Sequence, residues 1–191
     1  METTFNEQES LKTITEMIEN SKARFKNNGF FFLLWGWLVF AAAILNFVFI
    51  ESGIEKSWLP WVILMPAGLI ISFLTGYKKG KKAHAVTHFD KAMIYLWNGF
   101  IVVLAIIMIM AANGLYSWET ANILIVLLYG LGIFVSGGLL KFFPLIAGGV
   151  ACWIIAPIMM IIPGNYSLLL LALSVVIAYL IPGYILKSRV Q

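Results

Sequence analysis

Few residues in this 191-residue chain could carry chemistry. The only histidines, His84 and His88, stand four apart in "YKKGKKAHAVTHFDK" (77–91). That spacing puts two imidazoles on one face of a helix, which is half of a metal site. Asp90, the nearest carboxylate, falls on another face, so no third ligand converges and no metal is expected. A nucleophilic serine needs a general base beside it, and both histidines lie in the loop between the second and third apolar runs, not within a span. The single cysteine, Cys152, can form no intrachain disulfide. The expectation is a protein with no catalytic residue, no metal and no cofactor, and therefore not an enzyme.

The same stretch carries Lys78, Lys79, Lys81 and Lys82 within five positions. Lysines beside an anionic leaflet gain about 1 kcal/mol each, which makes these four candidates for lipid-headgroup contact. Their plainer use is to hold a loop on one side of a membrane. A nucleic-acid role is not expected, because no aromatic platform or recognition module accompanies the charge.

These residues are positioned by an apolar chain. Hydrophobic residues make up 61% of it and charged residues 12%, against about 45–50% and about 25% in an ordinary soluble domain. Six apolar runs of about 20 residues occupy 29–50, 58–77, 92–113, 120–140, 145–162 and 166–186. The first contains Ala41-Ala42-Ala43, a pattern like a signal-peptidase site. The run continues past it to Ile50, however, and a long segment of mixed charge precedes it, so an uncleaved span is expected.

The charges thread the spans. Of the 13 lysines and arginines, all but Lys56 fall in the leader, the second and fourth loops, or the tail. Basic residues favour the cytoplasmic side, which places both termini there. Trp58, Trp61, Tyr116, Trp118 and Tyr166 then mark the outer boundary, and Trp35, Trp37, Tyr95 and Trp97 the inner one. Amphipathic rings anchor at such boundaries. The alternative for these tryptophans is a ligand-binding aromatic box.

Inside the runs no Asp, Glu, Lys, Arg or His occurs. Proton relays and ion pathways in the bilayer need such groups. The most polar side chains well within the runs are Asn46 and Asn98, each expected to hydrogen-bond a neighbouring helix. The sharper alternative makes the pair a polar intramembrane site of a transporter or channel for a neutral or apolar solute. Gly148, Cys152 and Ala156, and likewise Gly132 and Ser136, recur at four-residue spacing. Small side chains on one face let helices approach closely, either within the bundle or at a homo-oligomer interface. Pro66 and Pro157 should kink the second and fifth helices. The loops pair the helices as three hairpins. A shift of 62 positions brings Leu34-Trp35 onto Leu96-Trp97, Gly68 onto Gly130 and Lys79 onto Lys141, a faint parallel repeat.

Before the first span, "ESLKTITEMIENSKARFK" (9–26) reads as an amphipathic helix. Leu11, Ile14, Ile18 and Phe25 share one face, with Ser10 as cap. Asn27-Asn28-Gly29 should break or bend it before the membrane. Its apolar face must be covered by the lipid surface, the inner loops or a cytoplasmic protein partner.

The leader, "NGFFFLLWGWLVF" (28–40) and "YLIPGYILK" (179–187) together resemble a group of small, uncharacterised bacterial polytopic membrane proteins. The resemblance implies a bacterial inner-membrane location and supplies no activity. Six helices in three hairpins also resemble, in architecture alone, stress-associated membrane proteins of the acid-resistance type. The expected fold is all-α: a cytoplasmic leader helix (1–28), a six-helix transmembrane bundle (29–187) and a short cytoplasmic tail (188–191). The expected function is that of a structural or regulatory membrane component, contacting lipid or a cytoplasmic partner through its leader.

Overall fold

The structure, a computed structural model, describes the backbone of residues 7–80, 88–162 and 164–188. Side chains are described for 29–77, 91–162 and 164–188. The fold is all-α, and no strand occurs among the described residues. Its helices are α1 (Glu7–Glu51), α2 (Leu59–Gly80), α3 (His88–Ala112), α4 (Trp118–Leu140), α5 (Phe143–Ile161), α6 (Tyr166–Val175) and α7 (Ile181–Ser188), with a π-helical segment, Val176–Leu180, between α6 and α7. Six of the described segments are long and apolar enough to cross a membrane, the last formed by α6, the π segment and α7 together. Helices suit that environment because they satisfy every backbone N–H and C=O within the segment.

α1 runs for 45 residues, and the break expected at Asn27-Asn28-Gly29 is absent. A glycine in a helix costs only about 1 kcal/mol, and here α1 is held by contacts with α7: a Cβ on Gly29 would lie 3.6 Å from the Gly183 carbonyl oxygen. The side chains of Leu11, Ile14, Ile18 and Phe25 lie outside the described residues.

Glycine turns end α1 and α3 in the same way. Gly53 (φ 70°) and Gly114 (φ 75°) take the left-handed conformation. The following residues, Ile54 and Leu115, donate back to Phe49 and Met110 at 2.9 and 3.1 Å. Carbonyls left open at the helix ends are thereby satisfied. α4 starts at Trp118, before the expected 120, because the Ser117 hydroxyl accepts from the Thr120 N–H at 3.2 Å. It ends at Lys141, whose φ of 50° makes it the one non-glycine residue with positive φ among the described residues.

The three expected hairpins are present as packed pairs: α1 with α2, α3 with α4, and α5 with the last span, mainly through the π segment. α4 and α5, joined by the tight turn at Lys141, form the most extensive helix pair, so the second and third hairpins are packed together as well. Trp153 of α5 lies against Gly130 of α4 and donates its indole N–H to the Leu127 carbonyl at 3.2 Å. α1 packs on α2, α6, the π segment and α7. α2 packs extensively on α1 alone, and α3 on α4 alone. These two are therefore the edge helices: 11% of the α2 span and 17% of the α3 span are buried, against 50% for α4 and 56% for the last span.

The π segment has a cause in the sequence. Pro182 has no N–H to donate to a helix bond. Just before it, the Ile181 N–H reaches five residues back to the Val176 carbonyl. Prolines 66 and 157 lie inside α2 and α5, which continue past them as helices.

Candidate functional site

Between the edge helices lies a groove of about 480 Å³. Its floor is buried: Phe32 and Val39 from α1, Phe100 from α3, Tyr129 from α4, Val175 from α6 and Tyr179 from the π segment. Its rim is exposed: Leu69 of α2 and Ile94 and Ile101 of α3 are each more than half exposed. The open side therefore faces out between α2 and α3, toward the surroundings of the bundle at spanning depth.

Five aromatic rings close a circuit around the floor. Phe32 meets Trp97 (6.3 Å between centroids), and Trp97 meets Phe100 (5.1 Å). Phe100 stacks on Tyr129 (5.6 Å), Tyr129 meets Tyr179 edge to face (5.5 Å), and Tyr179 returns to Phe32 (6.1 Å). All are offset or tilted pairs within the favourable range for aromatic contact. Four elements contribute these rings, so the circuit ties the edge helix α3 to α1 across the groove.

The tryptophans rest on glycines. A Cβ on Gly68 of α2 would lie 3.3 Å from the Trp35 ring, and one on Gly132 of α4 would lie 3.3 Å from Phe100 and 3.7 Å from Trp97. In each of the first two hairpins, a tryptophan of the first helix thus meets a glycine of the second. The third differs, since Trp153 leaves its own hairpin to lie on Gly130.

Three lining residues carry hydroxyls: Ser72, Tyr129 and Tyr179. None makes a hydrogen bond to another described residue, and Ser72 Oγ is fully shielded as well. Two buried serines elsewhere, Ser136 and Ser174, behave differently. Ser136 donates to the Gly132 carbonyl and Ser174 to the Leu171 carbonyl, both at 2.7 Å. A shielded polar atom without a partner costs free energy that a bound acceptor would recover. The site can therefore hold a long apolar group and offer it a few neutral donors. It presents no ionised group for acid–base chemistry.

The sequence-derived residues separate in space. Trp37 (48% exposed) and Tyr95 (78% exposed) face outward, as boundary anchors should. Trp35 and Trp97 instead line the groove, so for these two the aromatic-box alternative describes their surroundings better. Asn46 is buried, whereas Asn98 is exposed on the outer face of α3. Asn46 lies five residues before the end of α1 and Asn98 fourteen before the end of α3. The nine-residue difference in depth is about 14 Å at about 1.5 Å per residue. Neither lines the groove, and neither hydrogen-bonds another described residue.

The small-residue face on α5 is buried: Gly148, Cys152 and Ala156 all lie inside the bundle, as do Gly132 and Ser136 on α4. The backbone of Lys78 and Lys79 occupies the last turn of α2, while their side chains, and Lys81, Lys82 and His84 entirely, lie outside the described residues. No cluster of three metal-ligating side chains occurs among the described residues.

Sequence reasoning missed the groove and the π segment. Pro182 was the available signal for the second. For the first, the signal was Trp35 and Trp97 at matched positions. Neither a family model, nor a curated protein, nor a solved structure matches this chain.

Proposed function

We propose that this chain is a non-catalytic multi-pass membrane protein whose groove between α2 and α3 holds a lipid-like apolar molecule, and that it acts as a regulatory or structural membrane component. The observation that carries this reading is the closed circuit of aromatic rings beneath an open side at spanning depth. Pockets of about 300–1,000 Å³ with apolar walls and a few placed polar groups are what small apolar ligands occupy. The bilayer itself supplies such molecules to a groove that opens sideways.

In this reading both termini are cytoplasmic, in keeping with the basic residues, and the membrane is a bacterial inner membrane, in keeping with the resemblance of the leader and of 28–40 and 179–187. Leu11, Ile14, Ile18 and Phe25 form the face through which a cytoplasmic partner, or the lipid surface, senses the bundle. α1 supports such coupling, because one uninterrupted helix joins the leader to Phe32 and Trp35 in the groove. Solute transport through an Asn46/Asn98 site is disfavoured by the outward position of Asn98.

Photolabelling tests the groove. A lipid with a photoreactive acyl tail should attach mainly to Met93 and Trp97, which line the groove, and far less to Phe73 and Tyr95, which are about three-quarters exposed on the outside. Labelling in proportion to outside exposure would refute the reading.

A further inference from the structure

We infer that the occupant of the groove is an anionic phospholipid, with one acyl chain in the groove, an ester carbonyl on Ser72 and its phosphate at Lys78, Lys79 and Lys91. This rests on the reading of the groove as a lipid site and adds the headgroup.

Length gives the first argument. Along α3 the lining runs from Met93 to Leu104, eleven helical steps, or about 16 Å at about 1.5 Å per residue. One leaflet of hydrocarbon is half of a core about 30 Å thick. The groove therefore spans one leaflet and ends near mid-bilayer, as a cavity for a single acyl chain should.

Charge gives the second. The groove occupies the half of the bundle at which α2 ends and α3 begins. On α2, Lys78 and Lys79 follow Ser72 by six and seven residues, about 9–10 Å along the axis at about 1.5 Å per residue. On α3, the exposed Lys91 precedes the lining residue Met93 by two. Lysines therefore flank the lining in helix position on both edge helices, with the exposed Lys91 on α3. By sequence this end carries one carboxylate, Asp90, beside Lys91, against three lysines. A phosphate there would meet a net positive end, three lysines against Asp90, with its chain already aligned along the groove.

The lone hydroxyl gives the third. Ser72 Oγ is shielded and unpartnered. It belongs to the groove wall, nearly two helical turns before the lysines in α2. In a glycerophospholipid the ester carbonyls lie between phosphate and chain, so an acceptor arrives at that depth. A turn of the Ser72 side chain about χ1, which its shielding requires, would let it donate to that acceptor and lose its unsatisfied state.

The test uses the full-length protein in nanodiscs with two photoreactive-tail probes, a phosphatidylglycerol and a phosphatidylcholine of the same chain. The anionic probe should label Met93 and Trp97 at least several-fold more than the zwitterionic one. Lys78→Gln with Lys79→Gln should reduce that preference by about fivefold per lysine, the equivalent of about 1 kcal/mol each. Lys78→Arg with Lys79→Arg should keep it, which separates charge from any effect on folding. Ser72→Ala should weaken groove labelling by both probes, since both carry ester carbonyls. Equal labelling of the groove by both probes would overturn the anionic headgroup while leaving the lipid groove standing. Labelling no stronger in the groove than at Phe73 and Tyr95 would overturn both.

Discussion

A Cβ placed on Gly148 would stand 2.8 Å from the Cα of Ala178, so α5 and the π segment meet backbone to backbone. This contact lies behind the groove: Ala178 adjoins Tyr179, whose ring belongs to the aromatic circuit. The small-residue face of α5 thereby sets the position of a groove-lining side chain. Helices in lipid associate through such close packing rather than through a hydrophobic drive.

Gly148→Ala should destabilise the bundle, because the atom facing the new methyl is backbone and cannot rotate away. Overpacking of this kind costs about 1–3 kcal/mol. Gly138 supplies the control, with nothing within 4 Å of its Cβ position. There alanine should be neutral, or stabilising by about 0.5–1 kcal/mol. Thermal melts of the two variants in one detergent should separate by several degrees, and coincident melts would show that α5 does not sit against the π segment.

Lys141→Gly should raise stability. Lys141 is held at φ 50° and ψ 43°, where its N–H and that of Phe142 bond Gly138 and Gly137. The left-handed region costs a side-chain-bearing residue about 1–2 kcal/mol that glycine does not incur. Part of that gain is offset by glycine's freedom in the unfolded chain. A net rise in the melting temperature is expected, and a fall would mean that the lysine's charge at the helix end outweighs its strain.

Trp153→Phe removes the indole donor to Leu127 while leaving an aromatic ring over Gly130. Hydrogen bonds within membrane bundles average about 0.6 kcal/mol. A small loss of stability is expected, smaller than that of Gly148→Ala. A loss of several kcal/mol would show that the indole is needed for shape and not only for its donor.

The sequence made some of this legible. Six long apolar runs announced the helices, and the four-residue spacing of Gly148, Cys152 and Ala156 marked a buried face. The groove could not be read in the same way. Residues that face a groove and residues that face lipid are both apolar, so hydropathy treats Leu69 and Phe73 alike. Which helices become edges depends on partner choice, and the dominance of the α4–α5 pair follows from glycines meeting across two helices. The outward position of Asn98 was hidden for the same reason, since its depth was evident but its face was not. The irregularity in the last span did have a local cause, Pro182, but a proline fixes a missing donor and not the register that follows.

Topology is tested from the two ends of the bundle. In a Cys152→Ala background, Ser52→Cys should react with an impermeant thiol reagent added to intact cells. Ser188→Cys should react only after the cells are opened. The opposite pattern would reverse the threading drawn from the basic residues.

The occupancy of the groove is tested most directly by native mass spectrometry of the protein released from detergent. If the groove holds one lipid, the intact chain retains a single lipid after the surrounding belt has been stripped, and Ile101→Trp with Leu104→Trp, which fills the lining of α3, removes it without unfolding the bundle. Equal lipid retention by the filled and unfilled proteins, or none by either, would contradict the account.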